Sequence, residues 1–284
     1  MTPTLVRHHP HPASAPPVAD ACARARDWAE IQERMLVPLY EAVYERLEVG
    51  AGTRLLALGC GSGLALLMAA SRGARVTGVD SDHARVELAR ERLTPATPWA
   101  GCPRGARLLE GGPGRAADPA RAAYNLVTAF TPIGCAAGDS EGLTPALEAT
   151  VPLAERGAPV VLVGWGPPER CATSAVLRVA TRLTERLRAP GVWRPARRDD
   201  LEDVASKAGL KPDGSGRVAC PFGYSDTESA VRGLLSTGLF DGAVRATDQA
   251  QVEKELTEAL HPHVRRDGTV WMPNVFRYLI ARTP

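Results

Sequence analysis

Residues 55–80 of the chain read LLALGCGSGLALLMAASRGARVTGVD, and no other stretch limits the fold as much. The run 54–58, RLLAL, is apolar beyond its first residue, as in strands buried on both faces of a parallel sheet. It leads into Gly59, Cys60, Gly61, Ser62 and Gly63, where glycines allow a tight turn and bring peptide N–H groups close to a ligand. A helix over 64–72 and a second strand over 74–79 follow, and Asp80 ends that strand. Strand, glycine turn, helix, strand and terminal acid describe a nucleoside-binding edge, with the acid placed to accept hydrogen bonds from a ribose diol.

The surrounding sequence alternates in the same way. Trp28, Ile31, Met35, Leu39, Val43 and Leu47 form one apolar helical stripe, which Pro38 should kink or split. Asp82 is placed to cap a helix over 82–93. Strands are expected at 106–110, 124–130 (YNLVTAF) and 158–165 (APVVLVGW), with helices at 143–156 and 170–187. After a short helix at 199–208, residues 216–224 (GRVACPFGY) read as a strand ending at a proline, and 274–281 (NVFRYLIA) as the last strand. Helices fill the interval of roughly 225–265 between them. The expected fold is α/β: a doubly wound, Rossmann-like, mostly parallel sheet of seven strands, with a helical cap. Residues 1–20 carry five prolines and the cluster His8, His9, His11; they are expected to be a disordered tail ahead of a single domain over 21–284.

Composition narrows the function classes. The 284 residues carry a formal net charge of only +2, with 44% hydrophobic and 23% charged residues. The basic imbalance of a nucleic-acid binder is missing, so no nucleic-acid partner is expected. The six cysteines are scattered with no CxxC pair, which argues against a zinc site or a disulfide scaffold; no metal is expected. No signal-like or membrane-length apolar run stands out, so the expected location is the cytoplasm, with no membrane partner.

The glycines separate two cofactor classes. A dinucleotide fingerprint has its third glycine inside the helix; that position is Leu64 here, and the glycines fall as G-x-G-x-G. This spacing, with Asp80 twenty-one residues after Gly59, resembles the first motif of the class I S-adenosylmethionine-dependent methyltransferases that act on small molecules. The resemblance extends to the strands YNLVTAF and VVLVGW and the terminal NVFRYLIA, over roughly 28–282. It implies a seven-stranded sheet whose last strand is antiparallel, S-adenosylmethionine as cofactor, and in-line methyl transfer to a small-molecule acceptor. It places Gly59, Cys60, Gly61 and Gly63 against the cofactor's methionine and ribose. Asp80 and Ser81 fall on the ribose hydroxyls, and Phe130 ends the fourth strand at the same edge. Three positions depart from the family. Ala57 stands where an acid usually precedes the glycines, no aspartate follows the third strand until Asp118, and Thr131-Pro132 follows the fourth. These departures open a second reading, a methyltransferase fold that has lost or repurposed methylation.

No strong catalytic signature is expected, because methyl transfer needs mainly alignment and exclusion of water. His261 and His263, in His-Pro-His, are candidates for a general base, as is Tyr224. Tyr40, Tyr44, Tyr224 and Trp271 are candidates to line an acceptor pocket, and Trp165 ends the fifth strand on the ligand edge.

Overall fold

The computed structural model describes residues 18–94, 105–118, 120, 122–184 and 193–284. Residues 1–17, with the expected tail and its histidines, and Cys102 lie outside the described residues. The tail boundary moves: helix α1 (Val18–Asp27) already begins at Val18. It continues into a π-turn at Trp28–Gln32 and a 3-10 turn at Glu33–Leu36. Helix α2 (Val37–Arg46) starts one residue before Pro38, where the missing N–H costs nothing.

The chain then alternates through β1 (Arg54–Leu58), α3 (Leu64–Ser71), β2 (Arg75–Asp80), α4 (His83–Leu93) and β3 (Arg107–Glu110). It goes on through β4 (Leu126–Ile133), α5 (Leu143–Thr150), β5 (Pro159–Trp165), α6 (Thr173–Thr184) and α7 (Asp200–Lys207). Strands β6 (Lys211–Ala219) and β7 (Phe222–Tyr224) precede the helices α8 (Thr227–Ser236), α9 (Asp241–Ala246) and α10 (Gln249–Leu260). Strands β8 (Val270–Met272) and β9 (Val275–Arg282) close the chain. Asp82 caps α4 as expected, its carboxylate accepting from the Arg85 amide at 3.1 Å.

Seven strands form one sheet in the order β3-β2-β1-β4-β5-β9-β6. Strand β9 runs antiparallel to both β5 and β6, and the other pairings within this sheet are parallel. The expected single strand at 216–224 is instead two. Pro221 has no N–H for a ladder, so β6 stops at Ala219 and β7 leaves to pair with β8 in a separate small sheet. The strand also begins five residues earlier than the sequence suggested. Pro212 and Gly214 are tolerated because β6 is an edge strand, and the register shifts between them.

β1 is buried on both sides: Leu55 and Ala57 face one core, Leu56 and Leu58 the other. Leu55 and Leu56 have no exposed surface, which corresponds to about 1.5–3 kcal/mol of burial each. The sheet order reverses between β1 and β4, and the carboxyl ends of these two strands open a crevice of the kind that receives ligands. Helices α8–α10 pack over that end of the molecule, against α1, the π-turn and α6. Among the described residues no helix is long and apolar enough to cross a membrane.

Candidate functional site

The turn after β1 is built on three left-handed residues, Gly59, Gly61 and Gly63, with φ of 63°, 56° and 80°. Only glycine adopts that conformation without strain. Asp80, at the end of the neighbouring strand, ties the turn down. Its Oδ2 accepts from the Gly61 amide at 2.8 Å and its Oδ1 from the Asp82 amide at 2.9 Å. A carboxylate has about four acceptor sites, so both oxygens keep capacity for further donors.

The N-terminal turns descend onto the same loop. A Cβ at Gly61 would lie 3.0 Å from Glu33 Oε1 and 3.2 Å from Trp28 Nε1. Glu33 is 2% exposed. Its Oε2 accepts from the Ser62 hydroxyl and, at 3.2 Å, from Arg92, which also bonds the Ser62 carbonyl and hydroxyl. Burial pushes the Glu33 carboxyl above its ordinary range, and Ser62, Arg92 and the Leu64 amide offset part of that. The Arg85 guanidinium lies 4.5 Å over the Trp28 ring and donates to the Ser236 carbonyl of α8 at 3.1 Å, so turn, α4 and cap meet in one roof.

Beneath the roof is a cavity of about 80 Å³ lined by Trp28, Glu33, Tyr40, Ala57, Gly61 and Phe130, among others. Phe130 is buried against Tyr40, ring centroids 4.8 Å apart, and against Tyr44 at 5.7 Å. Three polar atoms of the lining are buried without a hydrogen-bond partner: Trp28 Nε1, Thr128 Oγ1 and Arg85 Nε, the last 3.4 Å from Asp82 Oδ2. Thr128 sits beside Ala57 in the β1–β4 register. A larger cavity of about 340 Å³ lies further along the cap, bounded by residues 136–139, by Ala180 and Thr184 of α6, and by residues 238–245. Thr237 borders the first cavity and Gly238 the second.

Residues 55–139 match the family of methyltransferase domains. Over 85 residues the chain is 38% identical to the methyltransferase GfsG of Streptomyces halstedii, an alignment covering 30% of this chain and 26% of the relative. The match therefore spans about a quarter of that relative's length. Among solved structures, a Bacillus halodurans C-125 protein classed as a methyltransferase aligns with a TM-score of 0.53 at 13% identity, over 86% of this chain and 98% of the other. YjhP of E. coli aligns at 0.51 and 18% identity, over 92% and 99%. An S-adenosylmethionine-dependent methyltransferase of Thiobacillus denitrificans, in complex with S-adenosyl-L-homocysteine, aligns at 0.50 and 18% identity, over 95% and 100%. Over residues 55–139 the chain is thus similar to methyltransferase domains, and its fold is that of these solved structures.

The Thiobacillus denitrificans structure holds S-adenosyl-L-homocysteine, and the residue types around the glycine turn of this chain suit a donor of that class. The glycine turn is a cradle that side chains would fill, and three buried polar atoms of the lining lack a hydrogen-bond partner. Of the residues singled out in the sequence, Gly59, Cys60, Gly61 and Phe130 line the small cavity. The Cys60 thiol is buried and pushed up to about 12, which makes it an inert wall. Asp80 borders the turn through the Gly61 amide without lining the cavity, and Ser81 is exposed beside it. Gly63 faces away: a Cβ there would meet Ala89 and Leu93 of α4 at 3.0 Å, so it serves helix packing.

The candidate bases are not at either cavity. His261 is exposed and His263 partly so, both in a 3-10 turn beyond α10. Tyr224 is buried in the core with its hydroxyl on Gln32 at 3.0 Å. Of the aromatic candidates only Tyr40 lines the glycine-turn cavity. Tyr44 bonds the Ala65 carbonyl, Trp271 is 39% exposed on β8, and Trp165 packs on Phe276 with ring centroids 4.7 Å apart. Glu33, Arg85, Arg92 and Thr128 carried no sequence signal; an acid five residues after Trp28 is legible only once the π-turn is known.

Proposed function

We propose that the domain transfers a methyl group from S-adenosylmethionine to a small-molecule acceptor. The observation that carries this reading is the crevice at the β1–β4 switch point. There a left-handed glycine turn is fixed by Asp80, and the buried Trp28 Nε1 and Thr128 Oγ1 face it unpartnered. When bound, S-adenosylmethionine supplies an electrophilic methyl on a cationic sulfur. Gly59 and Gly61 let it approach the backbone, Asp80 takes the ribose diol, and Phe130 with Tyr40 forms the apolar wall. Trp28 and Arg85 exclude water from above.

The acceptor side is the 340 Å³ cavity, within the roughly 300–1,000 Å³ range of small-molecule sites. Small residues such as Ala137, Gly138 and Gly242 give it room, and Asp139 is consumed by the amides of residues 134–136. Among the described residues no side chain of either lining is arranged as a strong general base, in keeping with transfer governed by alignment. The described residues from Val18 onward act as one domain, with 225–265 as its cap. The expected setting is the cytoplasm, with neither a membrane nor a nucleic acid as partner. Isothermal titration with S-adenosylhomocysteine tests the reading: binding near one per chain supports it, and no heat together with no displacement by S-adenosylmethionine refutes it.

A second reading is a fold that no longer methylates. It rests on the roof: with Trp28 and Glu33 against Gly61, about 80 Å³ is room for a few waters only. A melting temperature unmoved by millimolar S-adenosylmethionine would favour it.

A further inference from the structure

We propose that Glu33 is the carboxylate that receives the ammonium group of the donor's methionine end. The proposal rests on the donor reading above and adds which residue of this chain meets the donor's second positive centre.

Two acids flank Gly61 from opposite sides. Asp80 holds its N–H, from the β2 side, and is partly exposed. Glu33 stands over its Cα, where a Cβ would lie 3.0 Å from Oε1, and is almost fully buried. A sugar diol is uncharged and suits an acid that water also reaches. A buried cation needs a buried counter-charge, since removing it from water costs several kcal/mol otherwise. Glu33 is the sole acid in the described lining of the glycine-turn cavity; β1 presents Ala57 there and β4 presents Thr128.

The carboxylate is also aimed. Arg92 and Ser62 grip Oε2, and Oε1 is the oxygen turned to the glycine turn. Arg92 reaches it from α4 with a quarter of its side chain exposed, so water screens part of that pairing. The charge-assisted hydrogen bond from an ammonium to Oε1 would be formed in a dry, narrow site, where such bonds are strongest. Trp28 Nε1, 3.2 Å from the same point, is a donor without a partner and fits the carboxylate of the same amino-acid end.

The competing role is a clamp that only fastens the N-terminal turns to the loop. Ligands separate the two. S-adenosylhomocysteine carries the amino-acid end, whereas 5′-methylthioadenosine keeps the nucleoside and sulfur and lacks it. Titration of Glu33→Gln should show binding of S-adenosylhomocysteine weakened by about ten-fold or more, with methylthioadenosine changed less than about two-fold. Equal losses for both ligands, or no loss for either, overturn the assignment to Glu33 and leave the donor site standing. Wild-type protein that binds neither ligand overturns the donor reading and this proposal with it. Should Glu33→Gln fail to fold, wild type is titrated with the deaminated analogue of S-adenosylhomocysteine. Binding about ten-fold weaker than the parent is expected, and equal affinity overturns the proposal.

Discussion

Trp28 and Glu33 are five residues apart and stand over the same glycine. On an α-helix such residues point to different faces, because neighbours there recur at three and four. The π-turn at Trp28–Gln32 changes this: the Glu33 amide bonds the Trp28 carbonyl, an i to i+5 contact that stacks the two side chains on one face. One irregular turn thus supplies both the roof and the buried acid of the site.

Gly61→Ala should strike the site directly. The left-handed φ costs about 1–2 kcal/mol for any other residue, and the new methyl would press on Glu33 and Trp28. Weaker S-adenosylhomocysteine binding is expected by titration, with a modest fall in Tm. Gly63→Ala meets Ala89 and Leu93 instead, so its loss should appear mainly in thermal unfolding and little in affinity.

Thr128→Val should raise the stability of the free protein and weaken ligand binding. The hydroxyl is fully buried with no partner, a situation that costs roughly 1–3 kcal/mol, and valine keeps its shape. Calorimetry of the free and ligand-saturated proteins checks both halves; a destabilised free protein would mean that the hydroxyl is already satisfied.

Arg85→Ala should open the roof. The cation–π contact with Trp28 is worth about 1 kcal/mol, so association of S-adenosylhomocysteine should quicken by roughly five-fold in stopped-flow fluorescence. An unchanged or slower rate would show that Arg85 does not gate entry.

The pairing of Glu202 with Arg277 joins α7 to β9, the two side chains meeting at 2.8 Å and at a second, shorter contact. Arg277 holds the Glu202 carboxyl below the ordinary range. A carboxylate shifted down stabilises the fold at pH above its unfolded value, and that contribution fades as pH falls through the folded value. Glu202→Gln should therefore lower stability to thermal unfolding at neutral pH, by no more than about 1 kcal/mol for a part-exposed pair, and the gap should close as pH falls below the ordinary carboxylate range. A gap that persists in acid would assign the effect to packing.

The sheet was legible in the sequence because its signals are local. RLLAL announces a doubly buried strand, three closely spaced glycines announce the turn, and Asp80 marks the strand end. The site was half legible. Glycine and strand-end positions follow from spacing, but Glu33 depends on a π-turn that no apolar periodicity reveals, and Thr128 reads as an ordinary strand residue until its missing partner is seen. The β6–β7 break was visible as Pro221 yet read as a strand end, since the new partner, β8, lies fifty residues away. The histidines and Tyr224 were plausible by chemistry, and only coordinates place them away from the crevice.

The most direct test of the whole account is titration of S-adenosylhomocysteine into wild type and Asp80→Ala side by side. Binding to wild type near one per chain, weakened about ten-fold or more by loss of this charged acceptor, is the predicted result. No heat from wild type, or equal affinity in the two proteins, would contradict it.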